Sequence, residues 1–200
     1  NKMIKTIIFD LNRVLITFRE INKDYRETFG ITQKKFWKPM TEFFSDYAIG
    51  KTNLDQVLLN IMEKNKLDKN NLSEAKRLHE KNFYQIPGMN NLLGSLKTNY
   101  SLILAAGDGK DSLEMKIKKG NLTQYFDKIY ATCYIKLMKT DINFYKEILF
   151  QSNLIPEEII FIDDRKDHLN VAKKLNINVI LFENLSKLEN DLKTKFNLLF

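Results

Sequence analysis

Four short apolar runs punctuate the chain: Ile4 to Phe9, Leu102 to Ala105, Ile159 to Ile162 and Asn178 to Leu181. Each is rich in β-branched or large apolar residues and shows no polar alternation, the pattern of a strand buried on both faces. Between them the apolar positions repeat at helical spacing. Leu113 and Ile117 follow the second run, Phe144, Ile148 and Leu149 precede the third, and Leu169, Ala172 and Leu175 separate the last pair. Strands alternating with helices predict a parallel sheet wrapped on both faces.

The stretch from Phe18 to Tyr84 breaks that alternation and contains no convincing strand. Leu54, Val57, Leu58, Ile61 and Met62 make one apolar helical face, with Thr52 or Asn53 suited to cap its start and Gly50 to end the helix before it. Phe36, Met40, Phe43, Phe44 and Tyr47 make a second stripe, read as packing within a small bundle, with Pro39 in a first turn or at a kink. Pro87-Gly88 punctuates the return, and Met89, Leu92, Leu93 and Leu96 begin the helix leading to the second strand. The expected organisation is an α/β, doubly wound core of residues 1–17 and 86–200, with a helical insert at 18–85.

At 200 residues and 44% hydrophobic the chain can bury such a core. No apolar stretch approaches the roughly 20 residues that cross a bilayer, and the first residues enter a strand pattern directly, so a cytoplasmic protein without a membrane partner is expected. Cys133 has no second thiol with which to pair and reads as structural. The net charge of +7 is spread along the chain, which speaks for a solvated lysine-rich surface, not a nucleic-acid footprint, while still favouring small anionic substrates. Nothing in the pattern indicates an oligomeric state.

In doubly wound sheets, ligands bind outside the carboxyl ends of the strands. Asp10, Ala106-Gly107 and Asp163-Asp164 stand at three such ends, so residues more than 150 positions apart should meet, with the insert as a roof. Trp37, Phe36 and the Lys51-Thr52 run are candidate roof elements. Clustered aspartates with Lys139 can hold a hard divalent cation and a phosphate together; oxygen ligands suit magnesium. An aspartate so placed can attack phosphorus. Each piece also has a plainer reading: Asp10 could end a strand, Asp163-Asp164 could favour a helix N-terminus, and Lys139 alone could lie on the surface.

The ordered set Ile-Ile-Phe-Asp10-Leu-Asn12-Arg-Val-Leu, Leu-Ile-Leu-Ala-Ala106-Gly107, Lys139-Thr-Asp141 and Ile-Ile-Phe-Ile-Asp163-Asp164-Arg resembles the haloacid dehalogenase superfamily of hydrolases over nearly the whole chain. The Lys-Thr-Asp and Asp-Asp-Arg stretches look most like its sugar-phosphate phosphatase branch. The resemblance implies a Rossmann-like core with an inserted cap and a Mg2+-dependent phosphatase acting on a small phosphorylated metabolite through an aspartyl-phosphate. In that scheme Asp10 is nucleophile and metal ligand, and Asn12 offers its backbone carbonyl to the metal. Asp164 is the acidic ligand, with Asp163 supporting the site from beside it. Ala106, Gly107 and Lys139 contact the phosphoryl group.

Departures accompany the matches. The family's phosphatases carry an aspartate two positions after the nucleophile as general acid and base, worth typically about 10²–10⁴ in rate; here Asn12 cannot move that proton. Ala106 stands where a Ser or Thr hydroxyl is usual, Arg13 where glycine is usual and Thr140 where proline is usual. His168, at a position where asparagine is common, reads as a partly exposed helix residue. Three functions follow from the resemblance: a slow phosphatase hurt least on acyl or aryl phosphates, a catalytically impaired binding module, and a dehalogenase, which has no need of clustered acids.

Overall fold

The structure, a computed structural model, describes residues 3–200. Its strands are β1 (Thr6–Phe9), β2 (Ile16–Phe18), β3 (Phe83–Gln85), β4 (Ser101–Ala106), β5 (Lys128–Ala131), β6 (Ile159–Asp163) and β7 (Asn178–Leu181). Five of them form a parallel sheet in the order β5-β4-β1-β6-β7. β1 lies at the centre, paired with β4 on one side and β6 on the other, which brings the ends of three distant segments side by side.

The two-residue period of a strand explains why these central runs are apolar without interruption. Ile7 and Phe9 of β1, Leu102, Leu104 and Ala106 of β4, and Ile160 and Ile162 of β6 enter one core, shared with helix residues Leu92, Leu96, Leu113 and Leu188. Ile8, Ile103, Ala105, Ile159 and Phe161 enter the core on the other face, against Phe144, Tyr145, Ile148 and Leu169. Every one of these residues is less than one-tenth exposed.

Of the sheet strands, β5 escapes the sequence pattern. It is a four-residue edge strand, Lys-Ile-Tyr-Ala, with an exposed lysine at its start, too short and too polar to stand out. β2 and β3 also lie in or beside the region read as free of strands. They pair antiparallel, Phe18 opposite Phe83 and Ile16 opposite Gln85. Three residues each cannot display a period; their pairing exists only because the chain leaves the core and returns at the same place.

Between β2 and β3 the helices Asn22–Phe29, Gln33–Trp37, Met40–Ala48, Leu54–Lys64 and Leu72–Asn82 pack around their own core of Tyr25, Phe36, Val57, Leu58, Ile61, Met62 and Leu78. Asn53 caps the fourth, its side chain accepting from the Gln56 amide at 2.9 Å. The aromatic stripe divides: Phe36 and Tyr47 are buried in this core and Met40 and Phe43 pack against it, whereas Phe44 stands outside it. Met40, Phe44 and Tyr47 also line the cavity between the helical unit and the sheet, as does Trp37. Bundle packing thus accounts for part of the stripe only. Lys51 and Thr52 lie away from that cavity, and Trp37 is the roof element that reaches it.

Candidate active site

Asp10 directly follows β1 and Asp163 ends β6, so parallel pairing sets their carboxylates together. Lys139 comes from the turn before the helix Ile142–Ser152 and fills the space between them. Its Nζ donates to Asp10 Oδ1 at 2.7 Å and to Asp163 Oδ2 at 2.6 Å. A lysine that is 1% exposed needs such partners, since a lone buried ammonium loses its hydration with nothing in return.

The three groups titrate apart. Burial, with the Asp163 charge, lifts Asp10 to about 6 against the pull of Lys139. Burial also pushes Asp163 upward, but Lys139 and His168 outweigh it and hold the group down to about 2. Burial works against the Lys139 ammonium, and its two carboxylates overcome this and raise its pKa. Asp163 is occupied on both oxygens: the Arg165 amide donates to Oδ1 at 2.8 Å and His168 Nδ1 lies 3.0 Å from Oδ2. His168 is therefore a partner of the site, not simply a helix-surface residue.

Asp164 is half-buried beside them, approached by Arg13 at 3.9 Å. Burial and the Asp163 charge raise its pKa. Oxygens of Asp10, Asp163 and Asp164 lie within 4.8 Å of one another; Lys139 is shared by the first two, and only the exposed Arg13 approaches the third. That donor set suits a hard divalent cation.

Above these groups lies a cavity of about 620 Å³, bounded by the sheet ends and the helical unit. Asp10, Asn12, Gly107, Lys139 and Asp164 line it. Ala106 does not. As the last residue of β4 it belongs to the core that Phe9 and Leu104 enter, with no exposed surface, so it is Gly107 that reaches the cavity.

Sequence reasoning missed a second polar cluster on the other side of Asp10. Lys116 Nζ donates to Asn12 Oδ1 at 2.8 Å and to Asp108 Oδ2 at 2.5 Å. Asn12 Nδ2 donates in turn to Asp108 Oδ2 at 3.2 Å. Lys116 also lies 4.0 Å above the Phe83 ring. Asp108 could have been read as one more strand-end acid, but nothing in the sequence separates Lys116 from its many lysine neighbours. Arg13 adopts φ 64°, the left-handed region in which glycine is at ease.

The helical unit is bonded to the core around this cluster. Tyr47 donates to Ser112 Oγ at 2.7 Å, His79 Nε2 lies 2.7 Å from the same oxygen, and Thr132 donates to the Ala48 carbonyl at 2.6 Å. A Cβ on Gly109 would stand 2.2 Å from the Tyr47 ring, so only glycine permits this approach. Burial, helped by the charge of Lys116, pushes His79 down to about 3, and its Nδ1 has no hydrogen-bond partner.

Fold and site together define a doubly wound α/β protein with a buried carboxylate-lysine centre at its strand ends and a helical roof. Residues 7–182 match the haloacid dehalogenase-like hydrolase family, to which the chain therefore belongs. A phosphorylated carbohydrates phosphatase of Thermotoga maritima is 25% identical over 183 residues, covering 88% of this chain and 83% of that protein. The drimenol cyclase DrtB of Aspergillus calidoustus is 21% identical over 199 residues; these are 97% of this chain but only 37% of the cyclase, so the chain spans little over a third of that relative. In fold, it is similar to a HAD family enzyme of Bacteroides thetaiotaomicron whose structure contains magnesium and inorganic phosphate. The TM-score is 0.73 at 20% identity, covering 92% of this chain and 98% of the other. Among the described residues no helix is long and apolar enough to cross a membrane.

Proposed function

We propose that the chain is a magnesium-dependent phosphomonoester hydrolase acting on a small phosphorylated metabolite, with residues 18–85 as its cap. The observation that carries this reading is the lysine-bridged pair Asp10 and Asp163 with Asp164 beside it, under a cavity large enough for a metabolite. The Thermotoga relative supports it by its name.

Asp10 and Asp164, backed by Asp163, would hold magnesium, which when bound supplies the positive charge that offsets the carboxylates and a phosphoryl group. Asp10 attacks phosphorus, the bond to the ester oxygen breaks, and its electron pair leaves on that oxygen. Water then hydrolyses the aspartyl-phosphate, returning the carboxylate and releasing phosphate. Lys139 holds the attacking carboxylate in place and offsets its charge. The Gly107 amide is placed at the cavity to donate to a phosphoryl oxygen.

Two proton transfers lack a carrier in this chain: to the leaving group, and from the water that hydrolyses the aspartyl-phosphate. The Asn12 amide is engaged by Lys116 and Asp108 and cannot serve as an acid. The first transfer is dispensable for substrates whose leaving group departs without a proton, aryl and acyl phosphates; in the second the attacking water gives its proton to solvent, and that step is slow. The same observation favours a second reading, a fold kept for binding a ligand, with catalysis lost.

The deciding assay compares wild type with Asp10→Ala on an aryl and an acyl phosphate, with and without magnesium. Turnover that needs both magnesium and Asp10 is expected. Wild type no faster than the variant would sink the hydrolase reading and leave the binding one. Where turnover is seen, Asn12→Asp should raise activity on alkyl phosphates by about 10²- to 10⁴-fold if only the acid and base is missing.

A further inference from the structure

The cavity wall says what the rest of the substrate is made of. Phe18, Trp37, Met40, Phe44 and Phe83 present aromatic rings and a thioether to it. Phe44 is only half-buried and stands outside the helical unit's core, so its ring is not explained by packing there. A soluble protein that leaves such side chains around an interior space has built a surface for an apolar body.

In the inner part of the same wall the polar residues are turned to one another, while the exposed side chains of Arg13, Glu20 and Lys34 also line it. The Gln33 carbonyl oxygen accepts from the Ile21 amide at 2.7 Å, and Gln33 Nε2 donates to the Arg19 carbonyl at 3.2 Å and to Asn82 Oδ1 at 2.8 Å. Ser112 serves Tyr47 and His79, and Asn12 serves Lys116 and Asp108. A sugar placed against that inner part would bury hydroxyls against few open partners, each unpaired one losing roughly 5- to 100-fold in affinity.

A separate observation concerns the ester oxygen. With Asn12 in place of an acid, the bond breaks readily only if the departing oxygen carries its electron pair away as a stable anion. A phenol does so, ionising near pH 10 as tyrosine does, at about 10. The phenolate then takes its proton from solvent.

We infer that the substrate is an aryl phosphate, the phosphate monoester of a phenol with a flat, apolar body held against Trp37, Phe44 and Phe83. This rests on the phosphatase reading and narrows it.

Binding tests it without relying on turnover. The 200-residue chain with magnesium is titrated by calorimetry with inorganic phosphate, methylphosphonate, benzylphosphonate and a hexose-derived phosphonate. Trp37, the chain's single tryptophan, reports cavity occupancy by its fluorescence. Benzylphosphonate should bind about 10- to 100-fold tighter than methylphosphonate, as burial of one phenyl ring implies, and should shift Trp37 emission. The hexose phosphonate should gain nothing over methylphosphonate. Phe44→Gln, and independently Met40→Gln, should each lower the benzyl-to-methyl affinity ratio by several-fold. A hexose phosphonate as tight as the benzyl compound, or a benzyl compound no tighter than methyl, overturns the inference while leaving the phosphatase reading in place. Absence of any phosphate or phosphonate binding removes the reading, and the inference with it.

Discussion

Two buried lysines stand on either side of the turn that follows β1, and they are balanced differently. Lys139 bridges Asp10 and Asp163, with Asp164 close by and approached by the exposed Arg13, so in the buried part of its cluster two carboxylates share one ammonium. Lys116 faces one carboxylate, Asp108, and one neutral amide, Asn12, so its cluster closes on itself. A buried ion pair repays its desolvation only when charge and hydrogen bonds are both satisfied. The second cluster meets that condition with protein groups alone. The first does not meet it with buried groups alone: Asp10 and Asp163 share one ammonium, and Arg13 reaches Asp164 only from the exposed side.

Removing each lysine should expose the difference. Lys139→Met leaves two carboxylates facing each other in a buried site, and the loss should reach or exceed the about 3–5 kcal/mol typical of a broken buried pair. Thermal unfolding should show this loss, and magnesium should restore part of it. Lys116→Met should cost about as much as a single broken pair, and magnesium should restore none of it because a lone Asp108 is a poor site. Equal recovery of both variants by magnesium would erase the distinction drawn between the clusters.

A smaller effect tests the edge of the Lys116 cluster. His79 is held neutral, its folded pKa near 3 against 6.5 when free. Between those values the unfolded chain binds a proton that the folded one refuses. The stability this group contributes is therefore complete above about pH 6.5 and declines as pH falls toward 3, amounting to a few kcal/mol over the window. His79→Gln should flatten that part of the stability-pH curve, measured as the difference from wild type by urea unfolding.

The smallest expected change lies at the turn between the clusters. Arg13 sits at φ 64°, and glycine there should relieve about 1 kcal/mol of backbone strain, partly offset by a freer unfolded chain. Its contact with Asp164, at 3.9 Å, and its cation-π contact with Phe18 would go as well. Arg13→Gly should raise the unfolding temperature slightly and leave the Asp10 and Lys139 geometry intact. A clear loss of stability would show that the arginine's contacts outweigh the strain.

The sequence alone determined the central strands and the ends on which Asp10, Gly107 and Asp163-Asp164 stand, because a strand buried on both faces must be apolar throughout and must stop where polar residues begin. It also determined that Asn12 cannot carry a proton, which is a property of an amide wherever it lies. The tertiary structure decided the rest. Which way Ala106 turns depends on strand alternation against two real cores; whether Met40 and Phe44 pack or face a cavity depends on how the helical unit meets the sheet. That Lys116, among many similar lysines, is buried against Asn12 more than 100 positions away depends on a contact that no local pattern encodes.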